Sequence, residues 1–85
     1  MPRRFASRGQ HLLVDLFGVA PEQLRDRPSL MRVLRSALRS AGFTVIREAG
    51  SHQFSGGGRG VTGFFLLAQS HAAFHSYPEA GYLAL

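Results

Sequence analysis

Reactive side chains are concentrated between residues 61 and 82, in the string VTGFFLLAQSHAAFHSYPEAGY. Ser70 carries a hydroxyl that could act as a nucleophile, and His71 and His75 carry imidazoles that could move a proton. A serine beside a histidine in sequence is not by itself a nucleophile pair, because catalytic pairs meet in space. The elements that position these groups therefore decide what they do.

Two other chemistries are weakly indicated. His71 and His75 are spaced to share one face of a helix or strand, but a zinc site needs a third ligand and the chain contains no cysteine. We therefore predict no metal. The loop at residues 55–60, SGGGRG, lacks the GxxxxGK[ST] pattern and precedes no helical pattern. It is predicted to be a flexible hairpin loop whose backbone could approach a ligand.

The charge balance is basic. Ten basic residues against five acidic ones give a net charge of +5, and every basic residue is arginine. Such a surface could bind a polyanion, but the chain has no RNP-like or helix-turn-helix signature. We interpret the arginines as a solvated surface and predict no nucleic-acid partner.

The length of 85 residues allows one domain, residues 1–85. A core of this size is marginally stable, and without cysteine no disulfide can support it, so association with a second copy is expected. No apolar run approaches the roughly 20 residues that span a bilayer, and no signal-peptide pattern is present. We predict a cytoplasmic protein without membrane contact.

An amphipathic helix is predicted over residues 30–41, where apolar residues recur at helical spacing opposite arginines. Ser29, after Pro28, is the expected N-cap, and Gly42 the expected left-handed residue at the C-terminal end. One helical turn is expected around residues 22–24.

Strand patterns surround this helix, and residues 64–67 are expected to be buried on both faces. The order of strand, helix, strand, strand, strand predicts an α+β fold: a two-layer sandwich whose antiparallel sheet is covered by helix on one face. Residues 1–8 are expected to be a flexible end. The predicted strands are residues 11–17, 43–49, 61–69 and 71–77, followed after Pro78 by an alternating segment at 81–85.

The string over residues 61–82 resembles the processing and active-site region of the short prokaryotic S-adenosylmethionine decarboxylases, which are pyruvoyl-dependent. The family pattern runs approximately V-S-G, an apolar strand, then E-S-H-x3-H-x-W-P-E-x-G-Y. Residues 11–18 (HLLVDLFG) resemble the family's opening strand, and residues 52–54 (HQF) its H-x-F element. The residues of the core pattern that fall in register are Ser70, His71, His75, Pro78, Glu79, Gly81 and Tyr82.

The resemblance implies that the protein makes its own cofactor. The bond between Gln69 and Ser70 would break, leaving a β chain of residues 1–69 and an α chain that begins with a pyruvoyl group derived from Ser70. The Ser70 hydroxyl attacks the Gln69 carbonyl to give an ester, and β-elimination leaves a dehydroalanine that hydrolyses to pyruvoyl. His75 and Thr62, which matches the serine of V-S-G, are implied to assist. The step needs a strained or well-held turn, an oxyanion donor and a base.

The resemblance also implies a substrate. In such an enzyme the pyruvoyl carbonyl would form a Schiff base with the α-amine of S-adenosylmethionine and accept electrons as carbon dioxide leaves. The product, decarboxylated S-adenosylmethionine, would supply spermidine synthesis. Adenine would lie between Phe54 and His75, and the Glu79 carboxylate would accept hydrogen bonds from the ribose hydroxyls. The family pairs its subunits, so a homodimer is expected.

Other interpretations stay open. Some relatives act on arginine or ornithine, and a longer glycine loop together with Tyr77 in place of Trp alters the pocket. A homologue that no longer cleaves would only bind a ligand or a partner subunit; Gln69 replaces the family's glutamate and Thr62 its serine. Phe54 could be a core residue and Glu79 a surface turn residue. The family's proton-donating cysteine lies downstream of G-Y, and the chain stops within an apolar run, so we expect the natural protein to continue beyond residue 85.

Overall fold

The computed structural model describes residues 9–85. Its elements are β1 (Asp15–Leu16), α1 (Pro21–Leu24), α2 (Arg27–Ser40), β2 (Val45–Gln53), β3 (Val61–Leu67), β4 (Ser70–Tyr77), a 3₁₀ turn (Pro78–Ala80) and β5 (Tyr82–Ala84). The strands form one antiparallel sheet in the order β1-β5-β4-β3-β2, with the helices packed on one face. The predicted α+β two-layer sandwich is confirmed. The expectation for residues 1–8 lies outside the described residues.

The helices cover only one face of the sheet. On β3, Phe65 and Leu67 face the helices and are 1% and 3% exposed, whereas Phe64 and Leu66 are 38% and 40% exposed. The prediction that residues 64–67 are buried on both faces is therefore wrong. An all-apolar run does not reveal whether a second layer is present. The buried core consists of Leu24, Met31, Val61, Phe65, Leu67, Phe74 and Leu83.

Helix α2 begins earlier than its apolar pattern indicates. It starts at Arg27, and the Asp26 side chain accepts a hydrogen bond of 3.1 Å from the backbone N–H of Ser29. Asp26 is therefore the N-cap, and the prediction of Ser29 in that role is wrong. Pro28 fits inside the first turn, where its missing N–H costs no helical bond. Gly42 follows the helix with the predicted positive φ, +94°.

The bounds of the predicted strands differ from those observed. The third strand ends at Leu67 rather than at residue 69, and the fourth begins at Ser70 rather than at residue 71, because residues 68 and 69 form the turn between them. Of the predicted strand at residues 11–17, only Asp15–Leu16 is a strand in the structure, because its partner β5 is itself only 3 residues long. The second strand runs Val45–Gln53 rather than over residues 43–49, since it pairs with β3 along most of its length. Across residues 9–85, no helix combines the length and apolar character needed to cross a membrane.

Candidate active site

A cavity of about 310 Å³ opens where the loop at residues 54–60 meets β3, β4 and the 3₁₀ turn. It brings together four side chains that the sequence analysis assigned to one site. Gln69 and Ser70 do not line it. We call it the Phe54–Glu79 cavity, and the four predicted residues in its wall are Phe54, Thr62, His75 and Glu79.

Thr62 and His75 form a pair across β3 and β4. Thr62 Oγ1 and His75 Nδ1 share a hydrogen bond of 2.9 Å. The histidine tautomer decides which atom donates. In either tautomer Nδ1 is engaged, so Nε2 is the ring nitrogen left to contact a ligand or move a proton.

Phe54 provides an aromatic wall rather than part of the core, since it is 51% exposed. Its backbone N–H donates a hydrogen bond of 2.9 Å to Gly60 O and closes the base of the loop. Its ring meets His52 edge to face, with the ring centroids 4.7 Å apart. A ring held in this way is suited to stack against a flat aromatic ligand.

Glu79 lies in the 3₁₀ turn after Pro78, with its side chain exposed at the cavity. Within residues 9–85 its carboxylate receives no side-chain hydrogen bond and forms no salt bridge. Both oxygens can therefore accept hydrogen bonds from a ligand with two adjacent hydroxyls. Gly81, at φ +61°, ends the turn and returns the chain into β5.

The predicted cleavage bond lies at the turn between β3 and β4, which we call the processing turn (Gln69 and Ser70). Gln69 has a φ of +60°. This left-handed conformation costs an L-residue about 1–2 kcal/mol, so a strained turn is present at the predicted bond. Ser70 is exposed at the first position of β4. Both residues line a second cavity, of about 600 Å³.

The processing turn and His75 do not meet within one chain. Ser70 opposes Leu67 at one end of the β3–β4 ladder, and His75 opposes Thr62 at the other. A strand advances about 3.4 Å per residue, so Ser70 and His75 lie about 17 Å apart along β4. Within a single copy, His75 and Thr62 are too far away to assist cleavage at Ser70.

A comparison with known families assigns the chain to one of them. The family model described as S-adenosylmethionine decarboxylase matches residues 10–85. The chain belongs to the S-adenosylmethionine decarboxylase family. The resemblance seen in the sequence is thereby confirmed.

Curated relatives extend across bacteria and archaea. An S-adenosylmethionine decarboxylase proenzyme of Methanococcus vannielii is 38% identical over 77 residues, which cover 91% of this chain and 61% of the relative. One of Symbiobacterium thermophilum is 40% identical over 81 residues, covering 95% and 59%. The crystal structure of the adenosylmethionine decarboxylase from Aquifex aeolicus superposes with a TM-score of 0.74 at 33% identity, covering 85% of this chain and 57% of that one. The chain thus spans about three fifths of the length of these family members.

Gln53, the middle residue of the segment that resembles the family's H-x-F element, has a positioning role that its sequence did not reveal. Its side-chain amide donates hydrogen bonds to Arg25 O at 2.7 Å and to Arg59 O at 3.2 Å. Arg59 has a φ of +59°, and its N–H donates to Gly56 O at 3.1 Å. The glycine loop is therefore folded into a turn and tied to the segment after α1.

Ser76 is a second positioning residue that sequence reasoning missed. It lies between His75 and Tyr77 but faces the core and is 5% exposed. Its hydroxyl donates to Leu24 O at 2.6 Å and accepts from the Val61 N–H at 2.8 Å. One buried hydroxyl thus joins α1, β3 and β4 directly beneath the cavity.

The histidine pair that suggested zinc is divided between two environments. His71 stacks on Phe64 with ring centroids 5.7 Å apart and lies 6.4 Å from the His11 ring, whereas His75 bonds Thr62. In the part of the chain that the structure describes, no three His, Cys, Asp or Glu side chains are grouped to hold a metal ion.

An aromatic stack extends outward from the cavity wall. Tyr77 stacks on Tyr82 with ring centroids 5.4 Å apart, and Tyr82 stacks on Phe17 at 5.0 Å. Tyr82 donates its hydroxyl proton to Asp15 Oδ1. This hydrogen bond is the main reason that the pKa of Tyr82 lies above its ordinary value of 10.0.

Proposed function

We propose that this chain is the proenzyme of a pyruvoyl-dependent S-adenosylmethionine decarboxylase, whose product supplies spermidine synthesis. One observation carries the proposal: in a member of this family, an exposed aromatic ring, a Thr62–His75 pair and the free Glu79 carboxylate surround one cavity. The proenzymes of Methanococcus vannielii and Symbiobacterium thermophilum, named for this activity, support it. A cytoplasmic location and the lack of a nucleic-acid partner stay predictions.

The cavity chemistry suits an adenosyl ligand. Adenine would lie between the exposed face of Phe54 and the His75 imidazole, whose Nδ1 is held by Thr62. The ribose hydroxyls would donate to the two Glu79 oxygens, which no described residue occupies. The ring of Tyr77, also in the cavity wall, would face the cationic sulfonium end of the substrate.

Self-cleavage would use the strain in the processing turn. The Ser70 hydroxyl attacks the carbonyl carbon of Gln69, the amide bond breaks, and an ester joins the two residues. β-Elimination then releases the upstream chain as a carboxylate and leaves residue 70 as dehydroalanine, which water converts to pyruvoyl with loss of ammonia. The left-handed conformation of Gln69 supports this proposal, because opening the bond relieves its strain.

A pyruvoyl cofactor fits the observed turn, since its parent residue Ser70 is exposed at the start of a strand. At residue 70 it would supply an electron-accepting carbonyl for the decarboxylation. The other residues would bind and orient the substrate: Phe54 and His75 at the adenine, and Glu79 at the ribose.

A homodimer would resolve the separation between Ser70 and His75. In a two-fold pair each copy presents the same surface, so the processing turn of one copy can approach the Phe54–Glu79 cavity of the other. The sheet face that the helices leave open is apolar enough to be buried in this way, with Phe64, Leu66 and Tyr77 each about two fifths exposed. We therefore propose that the functional unit contains two copies, each completing the site of its partner.

The intact mass of the purified, denatured protein tests the proposal, combined with reductive amination to label a carbonyl. We expect two chains, one ending at Gln69 and one beginning with a carbonyl-bearing residue 70, and Ser70→Ala should leave one chain. Carbon dioxide release should occur with S-adenosylmethionine and not with arginine or ornithine. Release from arginine or ornithine alone would show that one of these amino acids, and not S-adenosylmethionine, is the substrate. An uncut wild-type chain would contradict the proposed enzyme and favour a protein that only binds a ligand or a partner subunit.

A further inference from the structure

The glycine loop contacts Glu79 at one position, Gly58. A Cβ added to Gly58 would lie 2.3 Å from Glu79 Oε2, 2.8 Å from the Glu79 backbone nitrogen and 3.1 Å from Pro78 Cβ. At the first two of these distances, both below 3.0 Å, one of the contacting groups must move. The bare backbone of Gly58 therefore forms the wall against which the Glu79 carboxylate rests.

A side chain at this position could not be accommodated by rotating the carboxylate alone, because the backbone nitrogen of Glu79 is also in the way. The loop cannot easily withdraw either. Gln53 bonds Arg59 O, and a Cβ at Gly60 would lie 2.3 Å from Ser76 O, so the returning half of the loop lies tightly against β4. Any larger residue at 58 must displace Glu79.

The two preceding glycines of the loop make no such contact. Gly56 has open space around its Cβ position and no positive φ, and Gly57 also has open space but a φ of +58°. Gly58 is thus blocked by Glu79 and Pro78 rather than by its own backbone conformation. Gly56→Ala is a matched control, since Gly56 lines the same cavity and its added Cβ stiffens the same loop without touching Glu79.

We propose that Gly58 determines specificity for the ribose of the substrate by fixing where the Glu79 carboxylate stands. A carboxylate that accepts two hydroxyl hydrogen bonds must hold both oxygens in place, and a wall of backbone limits its rotamers without competing for its lone pairs. The inference rests on the proposed function, because it assumes that Glu79 receives the ribose. The inference adds that the glycine loop, which has no side chain at Gly58, determines the selectivity for the ribose.

The test measures binding of two non-reacting probes by calorimetry: 5′-methylthioadenosine and its 2′-deoxy counterpart. We expect wild type and Gly56→Ala to bind the ribose probe about tenfold or more tightly than the deoxy probe, the effect of a hydrogen bond to a charged group. Gly58→Ala should bring this ratio near one while the extent of self-cleavage stays close to that of Gly56→Ala; its melting temperature should fall below that of Gly56→Ala, because the added Cβ displaces Glu79.

A double variant of Gly58 and Glu79 tests whether Gly58 acts through Glu79 or through a general change in the fold. In a Glu79→Ala background the ratio should already be near one, and adding Gly58→Ala should not change it further. A Gly58→Ala protein that keeps the wild-type ratio overturns the inference while the proposed function stands. A wild type that binds neither probe, or binds both equally, overturns the Glu79 assignment and the inference with it.

Discussion

Thr62 Oγ1 lies 2.9 Å from His75 Nδ1, across two strands that pair these residues directly. The hydrogen bond orients the imidazole and fixes which ring nitrogen faces the cavity. It also explains how threonine can stand where the family pattern has serine, since the hydroxyl is kept and the extra methyl lies on the open sheet face.

Thr62→Val should slow self-cleavage, because it keeps the shape of the side chain and removes the hydroxyl that holds His75. General acid–base assistance contributes about 100-fold or more, so a loss of this order is expected. Thr62→Ser, which retains the hydroxyl, should cleave at nearly the wild-type rate. Electrophoresis of timed samples after synthesis gives the rate, and equal rates for the valine variant and wild type would exclude a role for the hydroxyl.

Two inactive variants should restore cleavage when they are made together. Ser70→Ala lacks the nucleophile and His75→Ala lacks the imidazole, so neither should cut alone. If each site joins Ser70 of one copy to His75 of the other, a mixed dimer contains one complete site, and the His75→Ala chain alone should be cut. Chains that differ in mass by a tag make this visible. If mixed dimers are recovered but the co-expressed pair does not cleave, His75 of one copy does not assist cleavage at Ser70 of the other.

Ser76→Ala should destabilise the fold while leaving the Phe54, Thr62, His75 and Glu79 side chains in place. The change leaves Leu24 O and the Val61 N–H without their buried partner, so the free energy of unfolding should fall by about 2 kcal/mol. Urea denaturation at fixed protein concentration, in a Ser70→Ala background that stays uncut, measures the difference. Ser55→Ala, in the exposed loop, is the control and should have little effect. An equal effect of both would show that the Ser76 hydroxyl does not join the layers.

The Tyr82 hydroxyl should lose its proton at a higher pH than an ordinary tyrosine does. Its hydrogen bond to Asp15 raises its pKa above 10.0, so the protonated form is favoured in the folded state. The resulting contribution to stability is complete below pH 10 and is lost as the pH rises through the folded-state pKa. The phenolate absorbance of wild type minus that of Tyr82→Phe isolates this group. A midpoint at or below 10 would show that the hydrogen bond does not persist in solution.

The fold class could be predicted from the order of the strand and helix patterns. The grouping of Phe54, Thr62, His75 and Glu79 was implied by the resemblance to the family, and only Thr62 and His75 among them lie on paired strands. The N-cap could not be chosen locally, since Asp26 and Ser29 are both good capping residues and only the helix start separates them. Phe64 and Leu66 would be buried only if something covered the other face of the sheet, and an apolar sequence does not show whether that face is covered.

The distance between Ser70 and His75 could not be judged from their separation in sequence. Ser70 and His75 are near neighbours in the chain, yet an extended strand carries them about 17 Å apart. The roles of Gln53 and Ser76 had no sequence signal, because their partners are backbone groups of residues distant in the chain.

The position of the processing turn has a consequence for the physical state of the mature protein. The bond it contains is the only covalent link between β3 and β4, which pair over residues 62–67 and 70–75. If that bond is cut as proposed, the centre of the sheet becomes an association between two separate polypeptides. Unfolding would then release two molecules instead of one, and the melting temperature of the mature form would rise with protein concentration through this extra dissociation. Maturation would thereby turn an internal hairpin into a subunit interface.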